Sequence, residues 1–345
     1  MSNFFITGMG RSGTTLLEKL ICNHTQLSIL SQPFPFLFIY LKKVFLNSKG
    51  VEKYYVLNDS INNKNYDLDE FNEFLNSFVI DKDEIYKLFK SMNNYSGQKT
   101  TVDLNKLNLE SNSFINIYNY LVNVLSNKKV SISFGSKEIL CEEYMAHMIN
   151  NGIKVILIIR DPRDVLASAN YSKGEKYFGL KKPSLFILKT WRKSLEFMHL
   201  LADNENFHFL KYEDLVKHPY KELDKITNFL NVENFKINCF ENGIFDQKGE
   251  LWSANSSYED SGSFISQKSV GAFKNILSED EIAYTEVICK KEMSLLGYNF
   301  EMQKLNEIEI IQNFKDYNVE NHQHLPANFS SQRENILSEI HRITN

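Results

Sequence analysis

Hydrophobic positions along the chain follow two rhythms. Phe4-Phe5-Ile6 and Val155-Ile156-Leu157-Ile158-Ile159 are continuous apolar runs, and the second is β-branched throughout except at Leu157, as expected for a strand buried on both faces of a parallel sheet. Strands are predicted over 3–7, 130–135, 154–160 and 206–211, alternating with helices over 14–24, 139–150, 162–171, 184–202 and 219–230. Such alternation implies an α/β fold, a mostly parallel sheet flanked by helices on both faces. Between residues 34 and 127 the period changes to a helical one. Leu68, Phe71, Leu75 and Phe78 share a face, as do Ile85, Leu88, Phe89 and Met92, and then Phe114, Ile117, Tyr118, Leu121 and Leu125. This is a helical insertion placed to cap a ligand-binding edge, and its aromatic stripe reads first as helix-packing core.

Residues 1–300 contain no Pro/Gly/Ser-rich linker and form one main domain in this reading, with 301–345 as a helical C-terminal extension. In that extension Leu305, Ile308, Ile311 and Phe314 make one apolar stripe; Ile336, Leu337, Ile340 and Ile343 make another. A tail this amphipathic needs a surface, either its own domain or a second subunit, which leaves a homodimer open.

Composition narrows the function classes. A net charge of −4 gives no overall basic field to draw nucleic acid. The four cysteines, Cys22, Cys141, Cys239 and Cys289, are scattered and read as free thiols of a reducing compartment. Only Ser2 and Asn3 stand between Met1 and the first strand, and no apolar run approaches about 20 residues, so a cytoplasmic protein without a transmembrane segment is expected. His322-Gln323-His324 lacks a third ligand at suitable spacing, and no metal site is expected there. His24 reads as a helix-end residue, and Trp191 and Trp252 as core.

Candidate chemistry begins at Gly8-Met9-Gly10-Arg11-Ser12-Gly13-Thr14-Thr15, a glycine-containing turn between the first strand and the first helix. Free N–H groups and the dipole of a helix N-terminus make such a turn a socket for phosphate. Gly8 and Gly13 have the spacing of a nucleotide-triphosphatase loop, but Thr14 stands where that loop has lysine, and the cation is Arg11 instead. A second site lies at Arg160-Asp161-Pro162-Arg163-Asp164. Asp161 is a candidate N-cap, Pro162 suits the first helical position, and Asp164 falls where the dipole favours an anion. Arg160 thus ends a strand, where open α/β sheets bind ligands, with Ser168 about two turns along the next helix.

In these stretches the chain resembles the sulfotransferases that use 3′-phosphoadenosine 5′-phosphosulfate (PAPS). Arg11-Ser12-Gly13-Thr14-Thr15 is similar to their 5′-phosphosulfate loop, and Arg160 with Ser168 to their 3′-phosphate pair. Tyr212-Glu213-Asp214 resembles the segment whose tyrosine lies at the adenine, and Ser269-Val270-Gly271-Ala272-Phe273-Lys274 the C-terminal Gly-x-aromatic-Lys loop. The likeness spans residues 4–298. It implies a P-loop-like sulfotransferase fold and in-line movement of a sulfuryl group to a hydroxyl or amine of a small-molecule, lipid or glycan acceptor, leaving 3′,5′-adenosine bisphosphate.

Fixed cations aimed at the bridging oxygen would then carry catalysis, each worth on the order of 3 kcal/mol. Arg11 is one candidate and Lys137 the other, because Lys137 ends a predicted strand as the family's lysine does. Many relatives place a glutamate shortly after the first helix as candidate base. Here Ser31-Gln32-Pro33 stands there, so Glu138, Glu142 or Asp103 must be considered. Ser266 and Lys268 are candidates for the 3′-phosphate contacts that an Arg-Lys-Gly stretch makes in other members, and Phe34-Pro35-Phe36 is the pocket candidate. A P-loop kinase using ATP and a catalytically silent nucleotide-binding protein remain as alternative readings.

Overall fold

The computed structural model describes residues 2–50, 67–94, 101–103, 105, 112–124, 131–171, 181–252, 264–302, 306–316 and 332–344. Among them five strands form one sheet: β1 (Ser2–Thr7), β2 (Leu27–Ser31), β3 (Ser133–Lys137), β4 (Lys154–Ile159) and β5 (Phe207–Lys211). Their order is β2-β3-β1-β4-β5, and every neighbouring pair is parallel. All carboxyl ends therefore lie on one edge. The chain leaves β1 toward β2 and leaves β4 toward β5, in opposite directions, so a crevice opens between the ends of β1 and β4, the usual ligand position in such sheets.

Strand side chains divide between two cores, one on each face. Phe5, Val155, Leu157 and Ile159 belong to one, and Phe4, Ile6, Ile156 and Ile158 to the other. Helix α1 (Thr14–Cys22) follows β1, and α2 (Pro35–Ser48), α3 (Leu68–Ser77), α4 (Lys82–Asn93) and α5 (Phe114–Val124) occupy the interval between β2 and β3. Asp67 and Asp81 start α3 and α4 by accepting from backbone amides of their first turns. The aromatic stripes of this interval pack on one another and on the sheet: Phe38 stacks on Phe5 at 5.7 Å, and Tyr118 donates to the Phe4 carbonyl at 2.7 Å. They are core, as expected.

Past β3 the chain differs from expectation. The helix predicted over 139–150 is replaced by a 3₁₀ turn at Glu142–Tyr144 and a short α6 (Met145–Asn150). The cause is a competing set of bonds: the Leu140 amide donates to the Gly8 carbonyl at 3.1 Å and the Cys141 amide to Thr7 Oγ1 at 3.2 Å, with Leu140 at φ 59°. This segment is tied to the first loop before a helix begins. The predicted strand over 130–135 also lies further along, so Lys137 is its last residue.

Helices α7 (Pro162–Asn170) and α8 (Ser184–Leu201) precede β5, and α9 (Tyr212–Lys217) and α10 (Pro219–Leu230) follow it. Trp191 is fully buried and Trp252 packs on the second core; the four cysteines are free thiols. Among the described residues no helix is long and apolar enough to cross a membrane.

Toward the C-terminus come α11 (Glu279–Ile288), α12 (Lys290–Leu295), α13 (Glu307–Asn313) and α14 (Gln332–Thr344). Both tail helices lie on their own chain. Ile311 is buried, Phe314 stacks on Tyr284 at 3.9 Å, and Ile336, Ile340 and Ile343 pack against the core. Glu339 receives Arg192 bidentately at 2.7 and 2.9 Å, with Arg342 at 2.8 Å. Among the described residues, the apolar stripes that left room for a second subunit are thus satisfied within the chain, apart from exposed Ile308 and Leu337. Leu305 and the His322/His324 loop lie outside the described residues.

Burial pushes the Glu339 carboxyl up, but Arg192 and Arg342 outweigh it and hold the group down at about 2. Its stabilising contribution is therefore present above the unfolded value and lost as pH falls toward about 2. Glu339→Ala is expected to destabilise the fold by about 3–5 kcal/mol in urea melts at pH 7, because it strands a buried guanidinium, and to lose less stability than the parent on acidification.

Candidate functional site

The loop between β1 and α1 is shaped by close approaches. At Gly8 a Cβ would come within 2.5 Å of the Ile158 carbonyl, so only glycine lets the loop lie against β4. Gly13 is the N-cap of α1 at φ 97°, and a Cβ there would overlap the Tyr212 ring. Having no side chain, it caps none of the helix's first amides, which remain available to an anion. The hydroxyl of Ser12 is buried without a hydrogen-bond partner. Arg11 holds a left-handed conformation, φ 74°, that turns its carbonyl toward β4.

Across the crevice Arg160 leaves the end of β4. Its guanidinium donates to the Arg11 carbonyl at 3.2 Å and to the Ser269 carbonyl, lies 4.8 Å over the Tyr212 ring, and is 3.7 Å from Asp164. Its Nε is buried without a partner. Arg11 Nε in turn donates to Ser168 Oγ at 2.9 Å, and the Tyr212 hydroxyl meets Ser269 Oγ at 2.6 Å. Trp191 Nε1 donates to the Arg160 carbonyl at 2.8 Å, which fixes the strand end from below. Four segments far apart in sequence therefore converge, and Arg11, Ser12, Gly13, Arg160, Ser168 and Tyr212 stand together at one place.

The C-terminal loop differs in detail from expectation. Ser269 faces Arg160, whereas Lys268 is exposed and Ser266 half-buried, their mutual contact being a bond from the Lys268 amide to Ser266 Oγ at 3.2 Å. Asp164 does more than complement a helix dipole: its carboxylate accepts from the amides of Gly271 at 2.8 Å and Phe273 at 2.9 Å. Burial raises its pKa, and Arg160 and these amides counteract. Glu213 similarly joins α7 to the far end of the matched region, accepting from the Asp161 amide at 2.8 Å and the Tyr298 hydroxyl at 3.1 Å.

A second polar group occupies the ends of β2 and β3. Lys137 is not a surface lysine of a turn; it is 1 % exposed, ion-paired with Glu18 at 3.1 Å and donating to Gln32 Oε1 at 3.2 Å. Gln32 itself is left-handed, φ 46°, and its amide donates to the Lys137 carbonyl at 2.8 Å. Glu138 is buried beside them and accepts from the Phe34 amide at 2.7 Å, so Phe34 lies at this corner. Burial pushes the Glu138 carboxyl up to about 8; Glu18 adds to the rise, while the Phe34 bond and Lys137 oppose it.

The other two carboxylates considered as bases are committed elsewhere. Glu142 accepts from Ser194 Oγ at 2.6 Å and pairs with Lys193 at 3.0 Å, inside an ion cluster that includes Glu143 and Lys42. Asp103 is exposed and accepts from the Asn105 amide at 3.1 Å. Glu18 is the residue sequence reasoning passed over. A charge between Leu17 and Leu20 on the buried face of α1 was its only signal.

The arrangement offers a polyanion two adjoining holds of fixed donors, with a lysine and a carboxyl next to them. A family model described as a sulfotransferase domain matches residues 1–297. Among solved structures, the sulfotransferase domain from the curacin biosynthetic pathway is 19 % identical over 87 % of this chain and 99 % of its own, with a TM-score of 0.50. The sulfotransferase domain of the Synechococcus PCC 7002 olefin synthase is 16 % identical over 81 % and 89 %, TM-score 0.44. A mouse sulfotransferase complexed with PAP is 14 % identical over 85 % of each chain, TM-score 0.43. No curated protein gives a significant match in sequence.

Removing the Asp164 carboxylate leaves two backbone donors without partners. Asp164→Ala is expected to cost about 2–3 kcal/mol, with amide hydrogen exchange at Gly271 and Phe273 accelerating before that of the sheet.

Proposed function

The chain belongs to the sulfotransferase-domain family, and from that premise we propose that it is a PAPS-dependent enzyme that moves a sulfuryl group to a hydroxyl or amine of a small-molecule, lipid or glycan acceptor. The observation that supports this most is the junction of the two anion holds, Arg11 Nε on Ser168 and Arg160 on the Arg11 carbonyl. One adenosine carrying charge at both its 3′ and 5′ positions suits such a junction. The orphaned buried donors also fit, since Ser12 Oγ and Arg160 Nε are polar groups that a phosphate-bearing ligand would satisfy.

When bound, the donor supplies an activated sulfuryl group on its 5′-phosphate. Ser12, Gly13, Thr14 and Thr15 are assigned to its 5′ end through amides and hydroxyls, and Arg160, Ser168 and Ser269 to its 3′ phosphate, with Tyr212 flanking the purine. Arg11 stands between the two ends. Lys137 is the cation assigned to charge that develops as the sulfuryl group departs, held in a dry position where a fixed charge acts strongly. Glu138 takes the acceptor's proton. Its high pKa makes it a stronger base than an ordinary carboxylate once ionised, and restricts that role to the alkaline side of neutrality. Ser266 and Lys268 are assigned to the rim of the same loop.

Isothermal titration tests the donor. Binding of 3′,5′-adenosine bisphosphate without magnesium is expected, weakened at least about 100-fold in Arg160→Ala through loss of two charge-assisted donors. Preference for Mg-ATP would instead favour the kinase reading. Turnover is read as transfer of labelled sulfuryl from PAPS to a panel of phenols, sugars, lipids and peptides: Lys137→Ala is expected to lower kcat by about 100- to 1,000-fold. Failure on every acceptor would favour a silent binding protein.

The proton acceptor has its own signature. The rate should rise with pH through about 8, where Glu138 loses its proton, and Glu138→Gln should remove that limb with most of the activity. A flat profile between pH 6 and 9 would assign the base elsewhere.

A further inference from the structure

Glu18 is a fully buried carboxylate on the helix whose N-terminus forms the anion loop, and nothing in the transfer scheme above uses it. Its surroundings are unusual for a core position. Oε2 accepts from Ser31 Oγ at 2.7 Å and pairs with Lys137 Nζ at 3.1 Å; Oε1 pairs with Lys19 at 2.8 Å and accepts from the Gln247 side-chain amide. Burial pushes this carboxyl up, but Lys137 and Lys19 pull it down further, and it stays ionised. Glu138, next to the same lysine, is pushed the opposite way. Two carboxyl groups held apart in proton affinity around one cation are a frequent layout of reaction centres.

An ammonium has three protons to give. Lys137 directs itself to Glu18 and to Gln32, and among the described residues no third acceptor faces it. The remaining donor belongs to a side chain 1 % exposed at the carboxyl end of the sheet. A buried cation with one open donor position is costly unless a ligand completes it.

We propose that Glu18 is a positioning residue of the transfer site: from the anion-binding helix it holds the Lys137 ammonium in place, with one donor direction left for the substrate. The inference rests on the sulfuryl-transfer reading. Gln32 has no charge to give at this corner, and Glu18 supplies the anion from the helix side instead. Ser31 and Gln247 orient the carboxylate, and Lys19 sets its second oxygen. A purely structural ion pair would leave the chemistry of Glu138 untouched, whereas Glu18 adds to the pull that keeps Glu138 protonated.

The test compares Glu18→Gln and Glu18→Asp with the parent, using 3′,5′-adenosine bisphosphate as binding probe and labelled PAPS turnover with the best acceptor of the panel, or water if none exceeds it. Expected for Glu18→Gln are bisphosphate affinity within about threefold of the parent, kcat lowered at least tenfold, and the alkaline-rising limb displaced to lower pH. Glu18→Asp should recover part of the rate. Lys19 and Lys137 face Glu18, and Lys137, Glu18, Tyr118 and Cys141 face Glu138, so the displacement is read against Glu138→Gln, which has no limb to move. Parental kcat and an unmoved limb in Glu18→Gln overturn the proposal. If circular dichroism shows that variant unfolded, Ser31→Ala, which removes one bond to the carboxylate, must show the same direction at smaller size or the proposal fails. A parent that does not bind the bisphosphate refutes the sulfuryl-transfer reading itself, a distinct result.

Discussion

A guanidinium that is nearly out of water needs acceptors, and Arg160 obtains most of them from segments far apart in the sequence. The Arg11 carbonyl comes from the first loop, the Ser269 carbonyl from the C-terminal loop, the carboxylate from Asp164 and the ring face from the residue after β5. Each partner is aimed by its own constraint: left-handed backbone at Arg11, two amides on Asp164, a glycine beneath Tyr212. The guanidinium is thus oriented by several independent contacts, and a side chain already oriented costs less to order on binding.

The same economy of buried charge recurs deeper in the molecule. Lys42, Glu143, Lys193 and Glu142 join α2, the 3₁₀ turn after β3 and α8, and burial effects on Glu143 are outweighed by its lysines, which hold its carboxyl below the usual carboxylate range. Clusters like this contribute little net stability compared with apolar packing, but they tolerate few alternative arrangements. Here the cluster ties α2 to the turn after β3 and to α8.

Much of this was legible in sequence because the signals were local. A continuous apolar run ending in Arg160-Asp161-Pro162 specifies strand, turn and cap within a few residues, and Asp161 does accept from the Arg163 amide. The first loop was equally plain. Strand β2 was not marked out, since Ser28 and Ser31 interrupt its apolar residues and all five positions are nevertheless buried. Glu18 and the second role of Asp164 escaped for a related reason: the partners lie over a hundred residues away, at Lys137 and at Gly271, and periodicity carries no information about such pairings. The helix predicted directly after β3 gave way to bonds with Thr7 and Gly8, again a tertiary choice.

The last helix adds a matter of timing. Arg192 and its acceptor Glu339 are separated by 147 residues, so at about 5–20 residues per second a ribosome delivers the second roughly 7–30 s after the first. During that interval the α8 cation lacks its bidentate carboxylate, and Ile340 and Ile343 have yet to reach the core they pack on.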